Sequence, residues 1–320
     1  LKLDEAISIR YHMGGFAAVP RSRVQELAQE RMEQNAQTLL ETFPDSGRTG
    51  YLLRRTFDEV TQVVDELYDE LSVSAFRPKF CELEFSARGA LPGVAFAGER
   101  CRGVVEGFVD RVDVWQSGGR PYVRVVDYKT GKKSFDYTNV LHGRGLQMLL
   151  YLFALVRQGG HLLHGEPLPA GVLYFPARIE RVSVRDRLAQ AEIEKERRKQ
   201  LRRSGVLLNS DPVLEAMEPC GGSPRFLPYT LDKEGRKTGD LASFAQLSQL
   251  ERFVFRTVAA LGDELADGRI DPDPCIRDAK DSACAFCPYS EVCAGHEQPR
   301  WLKKITAEEF WQTLERREHG

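Results

Sequence analysis

The run Gly103-Val104-Val105-Glu106-Gly107-Phe108-Val109-Asp110 and the run Val123-Arg124-Val125-Val126-Asp127-Tyr128-Lys129 lie on either side of the turn Gln116-Ser117-Gly118-Gly119-Arg120-Pro121. Gly103 to Trp115 and Tyr122 to Tyr128 are rich in valine, so the pair predicts a β-hairpin. Side chains alternate along a strand, which puts Asp127 and Lys129 on one face and turns Tyr128 away. Asp110, on the preceding strand, is within reach of the same spot. Val105, Val123, Val125 and Val126 give these charges an apolar setting, where they are costly unless compensated. A divalent cation compensates them: two hard oxygen ligands suit Mg²⁺, or Mn²⁺ in its place. Such an ion polarises a phosphoryl oxygen and lowers the pKa of a bound water, and Lys129 stands where it can orient that water. A plain salt bridge at a strand end also accommodates the trio, and spacing alone does not choose between the two.

Outward from the hairpin, apolar periodicity predicts helices over 20–41 and 52–71 and a strand over Phe80–Phe85. Gly145 to Arg157 reads as an apolar helix and Gly171 to Phe175 as a strand between two prolines. The order helix, three strands, helix, strand predicts an α/β fold. After Ala177 the pattern changes to a charged helix (182–203), a hairpin around Phe226–Lys237 and a long amphipathic helix (241–267). A last helix is opened by Thr306 and Glu309 as a capping box. The expected organisation is a core over 1–180, an insertion over 181–268 packing on it, and a metal loop with tail helix over 269–320.

Composition narrows the function classes. Of 320 residues, 42% are apolar and 29% charged, so the chain reads as globular rather than disordered. Acidic and basic residues nearly cancel, 47 against 45, for a net charge of −2; a purely electrostatic DNA-coating module is excluded. No apolar run approaches the roughly 18 residues of a membrane span. The Gly131-Lys132-Lys133-Ser134 stretch lacks the earlier glycine and the Gly-Lys-Ser/Thr ending of a phosphate-binding loop. The first residue is Leu1, and the chain reads as an excised piece of something longer.

Seven cysteines are an odd count for a disulfide framework, which suggests a reducing, cytosolic setting. Cys284-x2-Cys287-x5-Cys293 has the spacing of metal ligands. Zinc would take these three with His296 or Cys275; an iron–sulfur cluster would need a fourth, often distant, cysteine. Lys132 and Lys133 past the hairpin are candidates for DNA backbone contact; the helix run Lys195 to Arg203 reads first as a solvated face, with DNA phosphates or a partner subunit as its alternative contacts.

Three motifs carry a resemblance. Gly107-Phe108-Val109-Asp110, Asp127-Tyr128-Lys129-Thr130-Gly131 and Gln147-Met148-Leu149-Leu150-Tyr151 resemble the Gly-x-x-Asp, Asp-Tyr-Lys-Ser/Thr-Gly and Gln-x-x-x-Tyr motifs of the RecB-type branch of the PD-(D/E)xK nucleases. The resemblance implies a restriction-endonuclease-like core, a central mixed sheet flanked by helices. It implies that Asp110 and Asp127 bind Mg²⁺ with the main-chain carbonyl of Tyr128, that Lys129 is catalytic, and that Gln147 and Tyr151 support the DNA side of the site. A further family ligand, a histidine on the first helix, matches His12, although Ser8 stands where the family has glycine.

The run Cys284-Ala285-Phe286-Cys287-Pro288-Tyr289-Ser290-Glu291-Val292-Cys293 resembles the C-terminal end of the B subunits of AddAB-type helicase–nucleases. That similarity extends over nearly the whole chain. It implies a 4Fe-4S cluster acting as a structural staple, with the fourth cysteine ahead of Leu1 or, failing that, Cys275. It also implies a DNA substrate, single-stranded or an unwound duplex end, and a partner subunit with ATPase activity. The rivals are a CRISPR spacer-acquisition-type nuclease, against which the stretch 182–267 argues, and a catalytically idle iron–sulfur scaffold, against which Asp110, Asp127 and Lys129 together argue.

Overall fold

The structure, a computed structural model, describes residues 18–42, 47–131, 134–178, 190–277, 282–293 and 299–319. His12, Lys132, Lys133 and His296 lie outside them.

The chain opens with two long helices, α1 (Arg21–Thr42) and α2 (Gly47–Val73). Val19, Val24, Leu27 and Ala28 pack with Val64 and Leu71 in a small core between them. Strands β1 (Arg77–Phe85), β2 (Val94–Ala97), β3 (Arg102–Val105), β4 (Gly107–Ser117) and β5 (Arg120–Lys129) follow. Then come α3 (Tyr137–Leu141), α4 (Gln147–Gln158), α5 (Gly160–Leu163), β6 (Leu168–Pro176), α6 (Gln190–Leu201), β7 (Ser204–Leu208) and α7 (Asp211–Met217). The last part holds β8 (Tyr229–Leu231), β9 (Lys237–Gly239), β10 (Leu241–Ala242), α8 (Phe244–Ala266), β11 (Cys275–Ile276), β12 (Arg300–Trp301) and α9 (Ala307–His319).

A six-stranded mixed sheet in the order β1-β4-β5-β6-β7-β10 forms the centre, flanked by helices as expected. β5 and β6 run parallel, as do β7 and β10; the other neighbours are antiparallel. The β4–β5 hairpin closes on Gly118 and Gly119, both with positive φ (57° and 75°), as the tightest hairpin turns require. β6 is buried along nearly its whole length, matching its unbroken apolar run Leu168 to Phe175. α4, which returns the chain from β5 to β6, is buried at every position from Met148 to Leu155.

Three details depart from the periodicity. The strand expected over Gly103–Trp115 is two strands, divided at Glu106. β6 runs through Pro169 instead of starting beyond it, because an irregularity between Val123 and Arg124 leaves Ala170 as an extra residue opposite β5. Residues 204–208 and 241–242, within the stretch 181–268 set apart above, add two strands to the central sheet. The capping box of the tail helix is present: Glu309 N–H donates to Thr306 Oγ1 at 3.2 Å and Thr306 N–H to Glu309 Oε2 at 2.7 Å. Phe310, on that helix, is buried, whereas Trp301, on β12 ahead of it, is exposed. No described helix is long and apolar enough to cross a membrane.

Candidate active site

The ladder between β4 and β5 ends at the pair Arg111↔Val126, which makes Asp110 and Asp127 the next rung. There the strands are joined by a side chain instead of by their backbones: Tyr128 N–H donates to Asp110 Oδ2 at 2.8 Å. Asp127 is 9% exposed and ion-paired with Lys129 Nζ. β5 stays pinned through the lysine, whose carbonyl accepts from Ala177 N–H at 2.8 Å. The hairpin therefore brings Asp110, Asp127 and Lys129 together, at the point where one strand pair opens.

The third wall comes from β6. Tyr174 stands opposite Asp127 in the parallel ladder, and Lys129 Nζ lies 5.7 Å from the centre of its ring, within cation–π range. Burial, reinforced by the Asp127 charge, pushes the Tyr174 phenol up to about 12. It stays a neutral hydroxyl at physiological pH. Sequence reading did not single out Tyr174 as a site residue; its place follows from the parallel β5–β6 pairing, which no local motif reports.

Tyr151 is buried, its ring stacked on Phe85 with centroids 4.9 Å apart. Its hydroxyl abuts Gly107, where an added Cβ would come within 2.0 Å of the oxygen and 3.2 Å of the ring carbon bearing it. The glycine three residues before Asp110 and the tyrosine on α4 are thus two halves of one contact. Gly107→Ala is expected to lower stability by about 1–3 kcal/mol through overpacking. Adding Tyr151→Phe should recover part of that loss, since it removes the clashing oxygen while the φ of 159° at position 107 still strains an alanine. Thermal melts of the two single variants and the double variant check this, and simple additivity would contradict it. Gln147, at the first position of α4, is exposed.

The remaining site expectations fare unevenly. Among the described residues Cys284, Cys287 and Cys293 form no disulfide, and each is partly buried, around the 3₁₀ turn Ala283–Phe286. Cys275 sits on β11 beside Arg300. Among the described residues no three His, Cys, Asp or Glu side chains are gathered closely enough to hold a metal ion, so the cysteine ligand set is not assembled. The basic helix run is largely engaged within the protein. Arg203 is buried against Glu66 and Glu70, Arg202 donates to the Leu227 and Tyr229 carbonyls, and Arg197 donates to Gln62.

What the strand pair offers a metal is a two-carboxylate, hard-oxygen donor set at the open end of a buried ladder. That is the chemistry Mg²⁺ or Mn²⁺ selects, completed by waters and substrate oxygens.

Comparison with known proteins agrees with this reading. Residues 6–294 match the PD-(D/E)XK nuclease superfamily. The chain is 35% identical over 258 residues to the B subunit of the ATP-dependent helicase/deoxyribonuclease of Moorella thermoacetica, covering 79% of this chain and 22% of that protein. It is 27% identical to the proteins of the same name from Oceanobacillus iheyensis, over 87% of this chain and 24% of the relative, and from Clostridium perfringens, over 94% and 26%. The chain thus spans about a quarter of the length of these curated relatives. Two acids and a lysine gathered on a β-hairpin, inside a match that takes in the whole central sheet, lead to one assignment: the chain belongs to the PD-(D/E)XK nuclease superfamily.

Proposed function

We propose that this chain is a metal-dependent deoxyribonuclease domain that hydrolyses DNA phosphodiester bonds during the processing of double-strand ends. It would act within a helicase–nuclease complex, beside a partner subunit with ATPase activity. The observation that carries the reading is the Asp110–Asp127 rung with Lys129 ion-paired to Asp127. The names of the relatives supply the DNA substrate and the helicase context.

Asp110 and Asp127 would hold the ion, with the Tyr128 carbonyl as a further oxygen donor and His12 as a candidate fourth ligand. A bound divalent cation supplies Lewis acidity toward a phosphoryl oxygen and a water of lowered pKa. Lys129 donates to the charge that develops on the phosphorus-bound oxygens. Tyr174 closes the side toward β6, and Gln147, exposed at the start of α4, meets the substrate. Lys132 and Lys133 contact the backbone beyond the scissile bond. Water adds to phosphorus, the bond to the 3′ oxygen breaks, and the new end carries a 5′-phosphate. The test is cleavage of end-labelled single-stranded DNA by the full-length protein with Mg²⁺ or Mn²⁺. Products with 5′-phosphates, abolished by chelator, support the reading; absence of cleavage in the assembled complex would reject it.

We further propose that Cys284, Cys287 and Cys293 take part in a 4Fe-4S staple, completed by a cysteine preceding Leu1 or by Cys275. The support is the Cys-x2-Cys-x5-Cys spacing, since the described geometry does not gather the ligands. Anaerobically purified full-length protein should be brown, with broad visible absorption and about four irons per chain. Stoichiometric zinc without iron would overturn this.

A further inference from the structure

Beneath the strand pair lies a chain of buried charges that the reaction does not use directly. Arg111 is ion-paired to Asp113 through Nε at 2.8 Å and donates from Nη2 at 2.9 Å. Asp113 also accepts from Arg124 Nε at 2.8 Å. Arg124 reaches Glu70 of α2 at 2.9 Å, and Glu70 is held by Arg203 at 2.6 Å. Arg203 continues to Glu66, and Glu66 to Arg225. Arg111, Asp113, Arg124, Glu70 and Arg203 are each no more than 2% exposed.

Buried ion networks are poor evidence of stabilisation, because apolar packing does as well or better. The place where this one ends is informative. Arg111 Nη1 donates to the Tyr128 hydroxyl at 2.5 Å, and Tyr128 is the residue between Asp127 and Lys129. The other end of the same tyrosine, its N–H, is held by Asp110, the residue before Arg111. Asp110 and Arg111 therefore grip Tyr128 at both ends. The ring of bonds runs from Asp110 along the backbone to Arg111, through the guanidinium to the phenol, and back through the Tyr128 N–H. It fixes the separation of β4 and β5 where their ladder stops. Burial keeps the phenol neutral, pushed up to about 12 despite Arg111. Burial works against the Arg111 cation too, but Asp113, Tyr128 and Glu70 outweigh it and raise its pKa, so the clamp keeps its charge at all working pH values.

We propose that Arg111 and Tyr128 are positioning residues, and that the clamp they form presets the spacing of Asp110 and Asp127 for a divalent ion. The inference rests on the nuclease reading above. Partners that orient ligands without touching the metal typically contribute 10–100-fold in affinity or activity.

Mn²⁺ binding is measured by electron paramagnetic resonance of the free ion, in the full-length protein without nucleotide. The increment lost in Asp127→Ala defines this site. Tyr128→Phe keeps the ring and removes the hydroxyl; it should remain folded and bind Mn²⁺ at this site about 10-fold more weakly. The metal concentration for half-maximal cleavage should rise by the same factor while KM for DNA is unchanged. Arg111→Lys, which keeps the charge but cannot bridge Asp113 and Tyr128 together, should do the same. Wild-type Mn²⁺ affinity in both variants overturns the inference alone; so does loss of fold in Tyr128→Phe, which would make the role purely structural. Undiminished cleavage in Asp127→Ala overturns the nuclease reading itself.

Discussion

Asp127→Asn is expected to lower single-stranded DNA cleavage by about a thousandfold or more, the equivalent of roughly 4 kcal/mol of transition-state stabilisation. The substitution is nearly isosteric, so the loss is chemical. It removes one of two carboxylates on the terminal rung and the partner of Lys129. DNA binding in Ca²⁺, measured by fluorescence anisotropy, should stay within a few fold, because the proposed backbone contacts, Lys132 and Lys133, are retained. Cleavage within tenfold of the unsubstituted protein would show that the hairpin is not the catalytic centre. A collapse of DNA binding alongside cleavage would assign Asp127 to substrate recognition instead.

The second large effect is on stability. Glu70 is buried between Arg124 and Arg203. Burial raises its pKa, yet Arg203, Arg124 and Arg111 overcome that and bring the carboxyl from 4.5 to about 2. A depressed carboxylate stabilises the fold above its unfolded pKa and stops doing so as pH falls from about 4.5 toward 2, a contribution of order 3 kcal/mol. Glu70→Gln leaves two buried guanidinium groups facing a neutral amide, a defect that costs about 3–5 kcal/mol. At neutral pH its melting temperature should fall by on the order of 10 °C. Between pH 5 and pH 3 the variant should lose less stability than the unsubstituted protein, because the titrating group is gone. Parallel pH profiles would show that Glu70 is not the group that titrates.

The two predictions come from opposite faces of one hairpin, and only one face was legible in the sequence. Asp127 and Lys129 could be paired from strand alternation, and Asp110 joined to them once Gly118-Gly119 was read as a turn. The capping box of α9 and the hairpin around Lys233 were readable for the same reason: their partners are a few residues apart. Arg111, Asp113 and Arg124 also alternate, but periodicity only assigns a face. It does not say that this face is buried and charged, because the neutralising partners are remote. Glu70 is 54 residues from Arg124 and 133 from Arg203. The same blindness made Lys195 to Arg203 read as a surface run, solvated or facing DNA or a partner, although Arg203 is at the centre of the buried network. Tyr174 was missed because a parallel neighbour arrives through a helix, not a turn. Gly107 was readable as a motif residue, but its cause, the Tyr151 hydroxyl, appears only when α4 is laid against the sheet.

The most direct measurement is anomalous scattering from crystals of the full-length protein soaked in Mn²⁺. A manganese peak is expected at about 2 Å from a carboxylate oxygen of both Asp110 and Asp127, with the Tyr128 hydroxyl still bound to Arg111. A peak bound by other residues, or no peak between these two at saturating Mn²⁺, would contradict that expectation.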